Sequence, residues 1–259
     1  MYLAFVDEAD HTASNSFTVC GMTAIPVENA HNFCSYINGL RISSSVFEKS
    51  DLLKFSTSSK PSKCTAETHL QIKRDVIEGA GKFGAIFIGY CHFNEKHAAN
   101  DADRNRLYGF NTLLGKFDEF LKTKKSHGIV QIDRLDFARQ TKKQYKDGFS
   151  YLREKSQLGN KYPNEFRPLN NILSYSMTCE GTSDLTSAND IITGSLRYII
   201  NGQNDEVRKT LQEQIKNIMW KSDYGRFQEY GLTMRPFKTN KLKDEVKAEY
   251  QILRDFLNS

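Results

Sequence analysis

The clearest hydrophobic pattern in the chain is a stripe of apolar side chains between residues 103 and 125. Its members recur at steps of three and four residues: Leu107, Phe110, Leu114, Phe117 and Leu121. This spacing predicts an amphipathic helix over residues 103–125. A second pattern, the nearly continuous apolar run at 84–91, predicts a buried strand over residues 85–92.

Patterns elsewhere predict more strands and helices. The further strands are predicted at 2–6, 17–25, 129–133 and 172–177, and the further helices at 26–40, 66–80, 137–155, 185–200, 205–221 and 243–257. Strands come early and then alternate with helices, which is the order typical of an α/β domain. The sequence therefore predicts a mixed β-sheet flanked by helices.

Composition excludes several classes of protein. Of the 259 residues, 39% are hydrophobic, which is ordinary for a globular protein. No apolar run approaches the ~20 residues of a membrane-spanning helix, and the first residues lack the basic start of a signal peptide. Five scattered cysteines and six scattered histidines argue against disulfides and zinc sites. We expect a cytoplasmic protein with reduced cysteines and no membrane association.

The residues Asp-Glu-Ala-Asp at 7–10 spell the signature of a helicase family. Such an enzyme needs the phosphate-binding loop G-x-x-x-x-G-K-[S/T] upstream, but only six residues precede Asp7. The Gly81-Lys82 pair is followed by Phe83 rather than by Ser or Thr. Dinucleotide-binding and serine-hydrolase motifs are also missing. The sequence therefore does not support an ATPase, a dinucleotide enzyme or a serine hydrolase.

Two predicted strands end in an aspartate. Asp7 shares a strand face with Phe5, and Asp133 shares one with Gln131, whereas Glu8 points to the opposite face. A carboxylate on an apolar face is costly unless it is paired or binds a cation. If the two strands are adjacent and parallel, the acids meet and form an oxygen site suited to Mg²⁺. The alternative is that both acids simply end their strands in solvent.

A third acid, Asp190, lies in the predicted helix 185–200. It falls well away from the apolar stripe of that helix, which consists of Leu185, Ala188, Ile192, Leu196 and Ile199. Ser187 and Asp190 have the spacing of an N-terminal capping box. The sequence therefore leaves Asp190 either as part of a cap or as a residue that faces an open cleft.

Positive charge is concentrated in residues 134–167. This segment has nine Lys and Arg against four acids, an excess equal to the net charge of +5 of the whole chain. Such a surface attracts phosphate backbones, and Tyr145, Phe149 and Tyr151 could stack on bases, although a core position is the preferred interpretation for Phe149. A solvated basic helix face is the simpler interpretation. The nucleic-acid-binding residues predicted here are Arg134, Arg139, Lys142, Lys143, Lys146 and Arg153.

Three short motifs resemble the family called domain of unknown function 3800 (DUF3800), found in bacteria and their mobile elements. They are Asp-Glu-Ala-Asp at 7–10, Ile-Val-Gln-Ile-Asp-Arg at 129–134 and Ser-Ala-Asn-Asp-Ile-Ile-Thr-Gly at 187–194. The resemblance implies a ribonuclease H-like fold over residues 1–202. It also implies a catalytic, metal-binding cluster of Asp7, Asp133 and Asp190 with Mg²⁺ or Mn²⁺, a catalytic part for Glu8, and a nucleic-acid contact at Lys54.

The chain departs from that family in three places, one of which is that Asn189 separates Ala188 from Asp190 in the closing motif. Ala9 and Asp10 stand where the family has Ser-Gly, and the family's Glu-x-Lys retains only Lys54, with Glu48 or Asp51 as replacements for the missing acid. Residues 203–259 lie beyond the resemblance. We predict that they form a helical C-terminal extension packed on the domain 1–202.

Two hypotheses of function follow. The first is a metal-dependent phosphodiesterase, a nuclease acting on RNA or DNA, in the bacterial phage-defence or mobile-element context that the resemblance implies. The second is a catalytically inactive ribonuclease H-like module that binds nucleic acid or a protein partner, which the altered opening motif favours. A phosphoesterase for small nucleotides would use the same acids. The sequence leaves open whether the chain binds a protein partner or a second copy of itself.

Overall fold

A mixed sheet of six strands lies at the centre of the computed structural model. The structure describes residues 1–9, 16–48, 51–93, 102–135, 145–162, 165–179, 181–202 and 204–258. In chain order the strands are β1 (Tyr2–Ala9), β2 (Phe17–Pro26), β3 (Ile86–Phe93), β4 (Gly128–Asp133), β5 (Asn160–Lys161), β6 (Phe166–Arg167), β7 (Ile172–Thr178) and β8 (Leu232–Arg235). The two-residue strands β5 and β6 pair only with each other.

The order of strands in the sheet is β7-β4-β1-β2-β3-β8. Strands β1, β2 and β3 are antiparallel neighbours, while β4 is parallel to β1, β7 to β4, and β8 to β3. Tyr2 lies opposite Gly128 and Val6 opposite Ile132. Strands β1 and β4 are therefore adjacent and parallel, so that Asp7 and Asp133 come at the same edge of the sheet.

Helices cover both faces of this sheet. They are α1 (Val27–Ser44), α2 (Ala66–Lys82), α3 (Ala102–Thr123), α4 (Gly148–Leu158), α5 (Asp184–Asn201), α6 (Asp205–Ile218) and α7 (Asp244–Asn258). One core packs α1, α2, α5, α6 and α7 on the face of Phe5, and the other packs α3 and α4 on the face of Val6. The α/β class predicted from the sequence is confirmed. Across the described residues, no helix has the length and apolar content that a bilayer crossing requires.

Most predicted elements are present within a few residues of their expected limits, and two differences stand out. The predicted helix 137–155 begins only at Gly148 in the described residues, because the Asp147 side chain caps it by accepting the N–H of Ser150 at 2.8 Å. Residues 136–144 lie outside the described ranges. Strand β8 was not predicted, since its four residues are too few to show a pattern.

The last part of the chain contributes to the same core. Strand β8 extends the sheet beside β3, and α7 places Leu253 and Phe256 in the core that also contains Phe5. These residues therefore add a strand as well as helices. The domain boundary that we placed at residue 202 stays a prediction.

A close approach of α5 to the sheet depends on a glycine in β2. Gly21 lies directly opposite Asp7 in the β1–β2 register. A Cβ at this position would collide with the Thr193 hydroxyl of α5 and would lie 2.8 Å from the Phe87 ring. The missing side chain lets α5 lie close above β1 and β2, which brings the start of α5 near the end of β1.

We expect Gly21→Ala to lower the free energy of unfolding by about 1–3 kcal/mol, the usual cost of overpacking a core. Gly39→Ala on α1 is the matched control, because a Cβ there meets nothing within 4 Å. Alanine favours a helix more than glycine does, so Gly39→Ala should leave the free energy of unfolding unchanged or raise it by up to about 1 kcal/mol. Urea denaturation measures both. Equal stability of Gly21→Ala and wild type would contradict the close packing of α5.

Candidate functional site

Three aspartates from three elements line one small cavity at the edge of the sheet. Asp7 lies near the end of β1, Asp133 is the last residue of β4, and Asp190 lies in α5. The volume of this first cavity is about 20 Å³, which is room for about one water molecule. The structure thus brings together the three acids that the sequence singled out.

The N-terminal cap of α5 lies earlier in the chain than the cap that the sequence suggested. Ser183 caps the helix and Thr186 completes the capping box, so the predicted cap of Ser187 with Asp190 is wrong. Asp190 then lies in the second turn of α5 rather than the first. Its Oδ2 accepts a hydrogen bond from the backbone N–H of Phe55 at 2.6 Å.

The other two carboxylates are held in the same way as each other. Oδ1 of Asp7 accepts the backbone N–H of Glu8 at 2.7 Å, and Oδ1 of Asp133 accepts that of Arg134 at 2.8 Å. A hydrogen bond from the following residue fixes the orientation of each side chain at its strand end. The two acids are therefore preorganised on adjacent strands.

Negative charge is crowded around Asp7. Burial raises the pKa of this carboxyl well above its usual value, and the charges of Glu8, Asp133 and Asp190 raise it further. The hydrogen bond from the Glu8 N–H acts in the opposite direction and only partly offsets these effects. A proton or a cation near Asp7 would relieve this repulsion.

Lys54 also lines the first cavity, on a loop that α2 holds in place. His69 of α2 is almost fully buried, and its Nε2–H donates to the carbonyl of Lys54 at 3.0 Å, since a carbonyl can only accept. Burial lowers the pKa of His69 to about 4, and the nearby charge of Lys73 acts in the same direction. The ring is therefore neutral at neutral pH. The neighbouring residue Phe55 packs against Gly194 of α5, which has no side chain to obstruct it.

Glu8 lies on the opposite face of β1 and is engaged elsewhere. Its Oε1 accepts a hydrogen bond from Arg106 of α3 at 2.8 Å, and both side chains are largely buried. This ion pair ties β1 to α3. Glu8 does not line the first cavity. Its predicted catalytic role stays a prediction, and its observed contact is structural.

The basic residues predicted to bind nucleic acid are only partly described. Arg134 is exposed beside Asp133. Lys146 is exposed just before α4, and Arg153 is exposed within α4. Arg139, Lys142 and Lys143 lie outside the described residues. Their roles in binding stay predictions.

The two tyrosines of the basic segment that were predicted to stack on bases do not face solvent. Tyr145 and Tyr151 are buried, and their rings pack edge to face with centroids 5.3 Å apart. The Tyr151 hydroxyl donates to Oδ1 of Asn111 at 3.0 Å. The prediction that these two tyrosines stack on bases is therefore wrong. Phe149, for which we preferred a core position, is 68% exposed because it lies in the first turn of α4 on the side away from the sheet.

The geometry suits a pair of carboxylate ligands better than a set of three. Within the described ranges, no group of three or more His, Cys, Asp or Glu residues is arranged to hold a metal ion. Mg²⁺, however, is commonly bound through one or two protein carboxylates, with water and phosphate oxygens as its other ligands. Asp7 and Asp133 supply such a pair of hard oxygen donors. By donor chemistry the site therefore fits a divalent cation.

Sequence reasoning missed a second cavity, of about 650 Å³, that shares Asp190 with the first. Its wall includes Lys73 of α2 and Arg197 and Tyr198 of α5. A signal for Lys73 was present in the sequence, because it occupies a buried position in the stripe His69, Ile72, Lys73, Val76 and Ile77. A lysine among apolar residues at helical spacing is unusual, since lysines are rarely buried.

Comparisons with known proteins add little to this site. No family model matches the chain, and no curated protein matches it in sequence. Among solved structures, the ribonuclease H2 of Pyrococcus horikoshii OT3 is similar over 100% of both chains, at 15% sequence identity and a TM-score of 0.37. A likeness this weak supports no conclusion about activity.

We expect Asp7→Asn to raise the free energy of unfolding at pH 7.5 in EDTA. Folding raises the pKa of Asp7, so the charged carboxylate destabilises the folded protein at a pH above this raised pKa. The destabilisation disappears as the pH falls through the raised pKa and the carboxylate becomes protonated. The difference between variant and wild type should therefore shrink as the pH falls towards 4. Asp223→Asn, at an exposed position, is the control. An Asp7→Asn variant less stable than wild type at pH 7.5 would contradict the charge crowding.

His69 should make the protein sensitive to mild acid. Its pKa is about 4 in the folded protein against 6.5 for the unperturbed group, so stability is complete above pH 6.5 and is lost as the pH falls towards 4. The loss due to this residue is about 3 kcal/mol. His69→Gln keeps an N–H donor for the Lys54 carbonyl but cannot titrate, and should lack this loss. Urea denaturation between pH 7 and pH 4 measures this loss of stability, and His31→Gln, at an exposed position, is the control. If the stability of His69→Gln and of wild type depended on pH in the same way, His69 would not be the cause of the loss.

Proposed function

We propose that the protein is a divalent-metal-dependent phosphodiesterase that cleaves RNA or DNA. The observation that carries this proposal is the convergence of Asp7, Asp133 and Asp190 on one small cavity, with the pKa of Asp7 raised by burial and by its acidic neighbours. Unlike isolated surface acids, such a group gains stability from a bound cation. Acids that hold divalent ions beside a phosphate are a common basis of phosphodiester cleavage.

Asp7 and Asp133 would hold Mg²⁺ or Mn²⁺, and Asp190 would face the same ion from α5. A divalent ion at this place would supply an activated water and would stabilise charge on the phosphate oxygens. The hydrogen bonds from the Glu8 and Arg134 N–H groups keep the two strand-end carboxylates in place before any ligand arrives. The chain itself thus supplies an oriented pair of acidic side chains.

Basic residues near the acids would position the substrate backbone. Lys54 lines the same cavity, and Arg134 directly follows Asp133 and is exposed. Contacts of lysine and arginine with phosphates orient nucleic acid without reading its sequence. Arg139, Lys142, Lys143, Lys146 and Arg153 would extend this basic surface. The motif resemblance to DUF3800 supports a bacterial phage-defence or mobile-element context as part of the proposal.

A binding module without catalysis is the second candidate. It is favoured by the finding that the described residues assemble no metal site of three or more ligands, and by the engagement of Glu8 with Arg106. In this case the basic surface would bind nucleic acid or a protein partner without turnover. Such binding would fall with increasing salt and would persist in EDTA.

We expect Asp7→Asn and Asp133→Asn each to reduce Mg²⁺- or Mn²⁺-dependent cleavage by about a hundredfold or more, the scale on which loss of a group that stabilises transition-state charge acts. A panel of labelled single- and double-stranded RNA and DNA, separated on denaturing gels, measures the rate. Asp223→Asn is the control and should retain the wild-type rate.

Unchanged cleavage in the two variants would overturn the proposed site. Absence of any product from the wild type at every metal concentration, together with salt-sensitive binding in EDTA, would favour the binding module instead.

A further inference from the structure

The second cavity has the size of a ligand site. Its volume is about 650 Å³, within the range of roughly 300–1,000 Å³ that small-molecule sites occupy. Elements α2, α5 and α6 and the loop at 55–57 enclose it. Asp190 lines both this cavity and the first one, so a ligand in the second cavity lies next to one of the three acids.

Lys73 gives this cavity a buried positive charge. Its side chain is only 4% exposed, and its Nζ lies 4.3 Å from the centre of the Phe55 ring, a cation–π contact. Burial lowers the pKa of Lys73 to about 8, and the charge of Asp190 counteracts that effect. No carboxylate of the described residues forms an ion pair with Nζ within 4 Å. An anionic ligand would therefore recover electrostatic energy that burial has removed.

The remaining wall suits the other parts of a nucleotide. Arg197 adds a second basic side chain, and the hydroxyls of Ser56 and Thr57 offer donors for phosphate or sugar oxygens. Tyr198 lies beside Phe55, with ring centroids 6.1 Å apart, and provides an aromatic surface for a base. The apolar part of the wall consists of Ala66, Leu70, Val207 and Leu211.

The two acids on this wall are already engaged. Glu8 accepts a hydrogen bond from Arg106 at 2.8 Å, and Asp190 accepts one from the Phe55 N–H at 2.6 Å. Glu8 is thus paired with the charge of Arg106, and Asp190 is oriented by a backbone N–H group. The buried charge of Lys73 then favours an anion in the space between α2 and α5.

We propose that the second cavity binds one nucleotide through its phosphate on Lys73 and its base on the Tyr198 side. This inference deepens and rests on the proposed function, because it assigns the cavity to a nucleotide adjacent to the cleaved phosphate. The same chemistry would accept a free nucleoside monophosphate. The chain therefore recognises a phosphate and a planar base together, whichever source supplies them.

The test is binding without turnover, measured as fluorescence anisotropy of a labelled single-stranded oligonucleotide in EDTA. We expect Lys73→Met to weaken binding about tenfold or more, as the loss of a charge-assisted phosphate contact would. Lys82→Met is the matched control, because Lys82 lies on the same helix but is exposed and paired with Glu78. Tyr198→Leu should weaken binding about fivefold through the loss of stacking.

Competition with unlabelled ligands identifies the source of the nucleotide. Competition by nucleoside monophosphate as strong as that by the oligonucleotide would indicate a free nucleotide, and competition by the oligonucleotide alone would indicate a strand. Either result supports the cavity assignment. Equal competition by a nucleoside without phosphate would overturn it, as would wild-type binding by a Lys73→Met variant whose thermal stability is no lower than that of wild type.

The same assay separates this inference from the proposed function. Asp7→Asn tests the acids through the loss of metal-dependent cleavage. Lys73→Met tests the second cavity through binding alone. If neither wild type nor any variant cleaved the oligonucleotide, the effect of Lys73→Met on binding would still test the second cavity. If Lys73→Met bound like wild type, the cleavage measurement would still test the acids.

Discussion

Repulsion among three carboxylates around a very small cavity is the constraint on which the site depends. Asp7 and Asp133 are brought together by the parallel pairing of β1 with β4, and Asp190 is added from α5. A backbone N–H group orients each of these carboxylates, and the pKa of Asp7 is raised first by burial and then by its acidic neighbours. The fold therefore holds negative charges close together and makes the cavity favourable for a cation.

The close packing of α5 on the sheet positions both cavities. Gly21 in β2 lets α5 approach, and Gly194 in α5 lets Phe55 approach in turn. Phe55 then links the two cavities, because its N–H binds Asp190 and its ring contacts Lys73. A shift of α5 would move Asp190, Arg197 and Tyr198 together. The acid cluster and the second cavity are thus parts of one arrangement.

The features that follow from local periodicity could be predicted from the sequence. The alternation of side chains along a strand places Asp7 on the face of Phe5, and the order of elements indicates a mixed sheet. The cap of α5 was predicted wrongly, because Ser187 and Asp190 have the spacing of a capping box while the cap is formed by Ser183 and Thr186. Lys73 was visible only as a lysine in an apolar stripe, and its cavity depends on how α2 packs against α5 and α6. Charge composition misled the interpretation of Tyr145 and Tyr151, because it does not report which way a side chain faces.

The most direct test is a measurement of the pKa of Asp7 by carbon-13 NMR of its carboxyl group, assigned by comparison with Asp7→Asn. Without divalent ions, the pKa should lie clearly above the ordinary value of about 3.9. Saturation with Mg²⁺ should lower it, because a bound cation stabilises the charged form. An ordinary pKa that does not respond to Mg²⁺ would contradict the convergence of charge at this site and its function as a cation-binding centre.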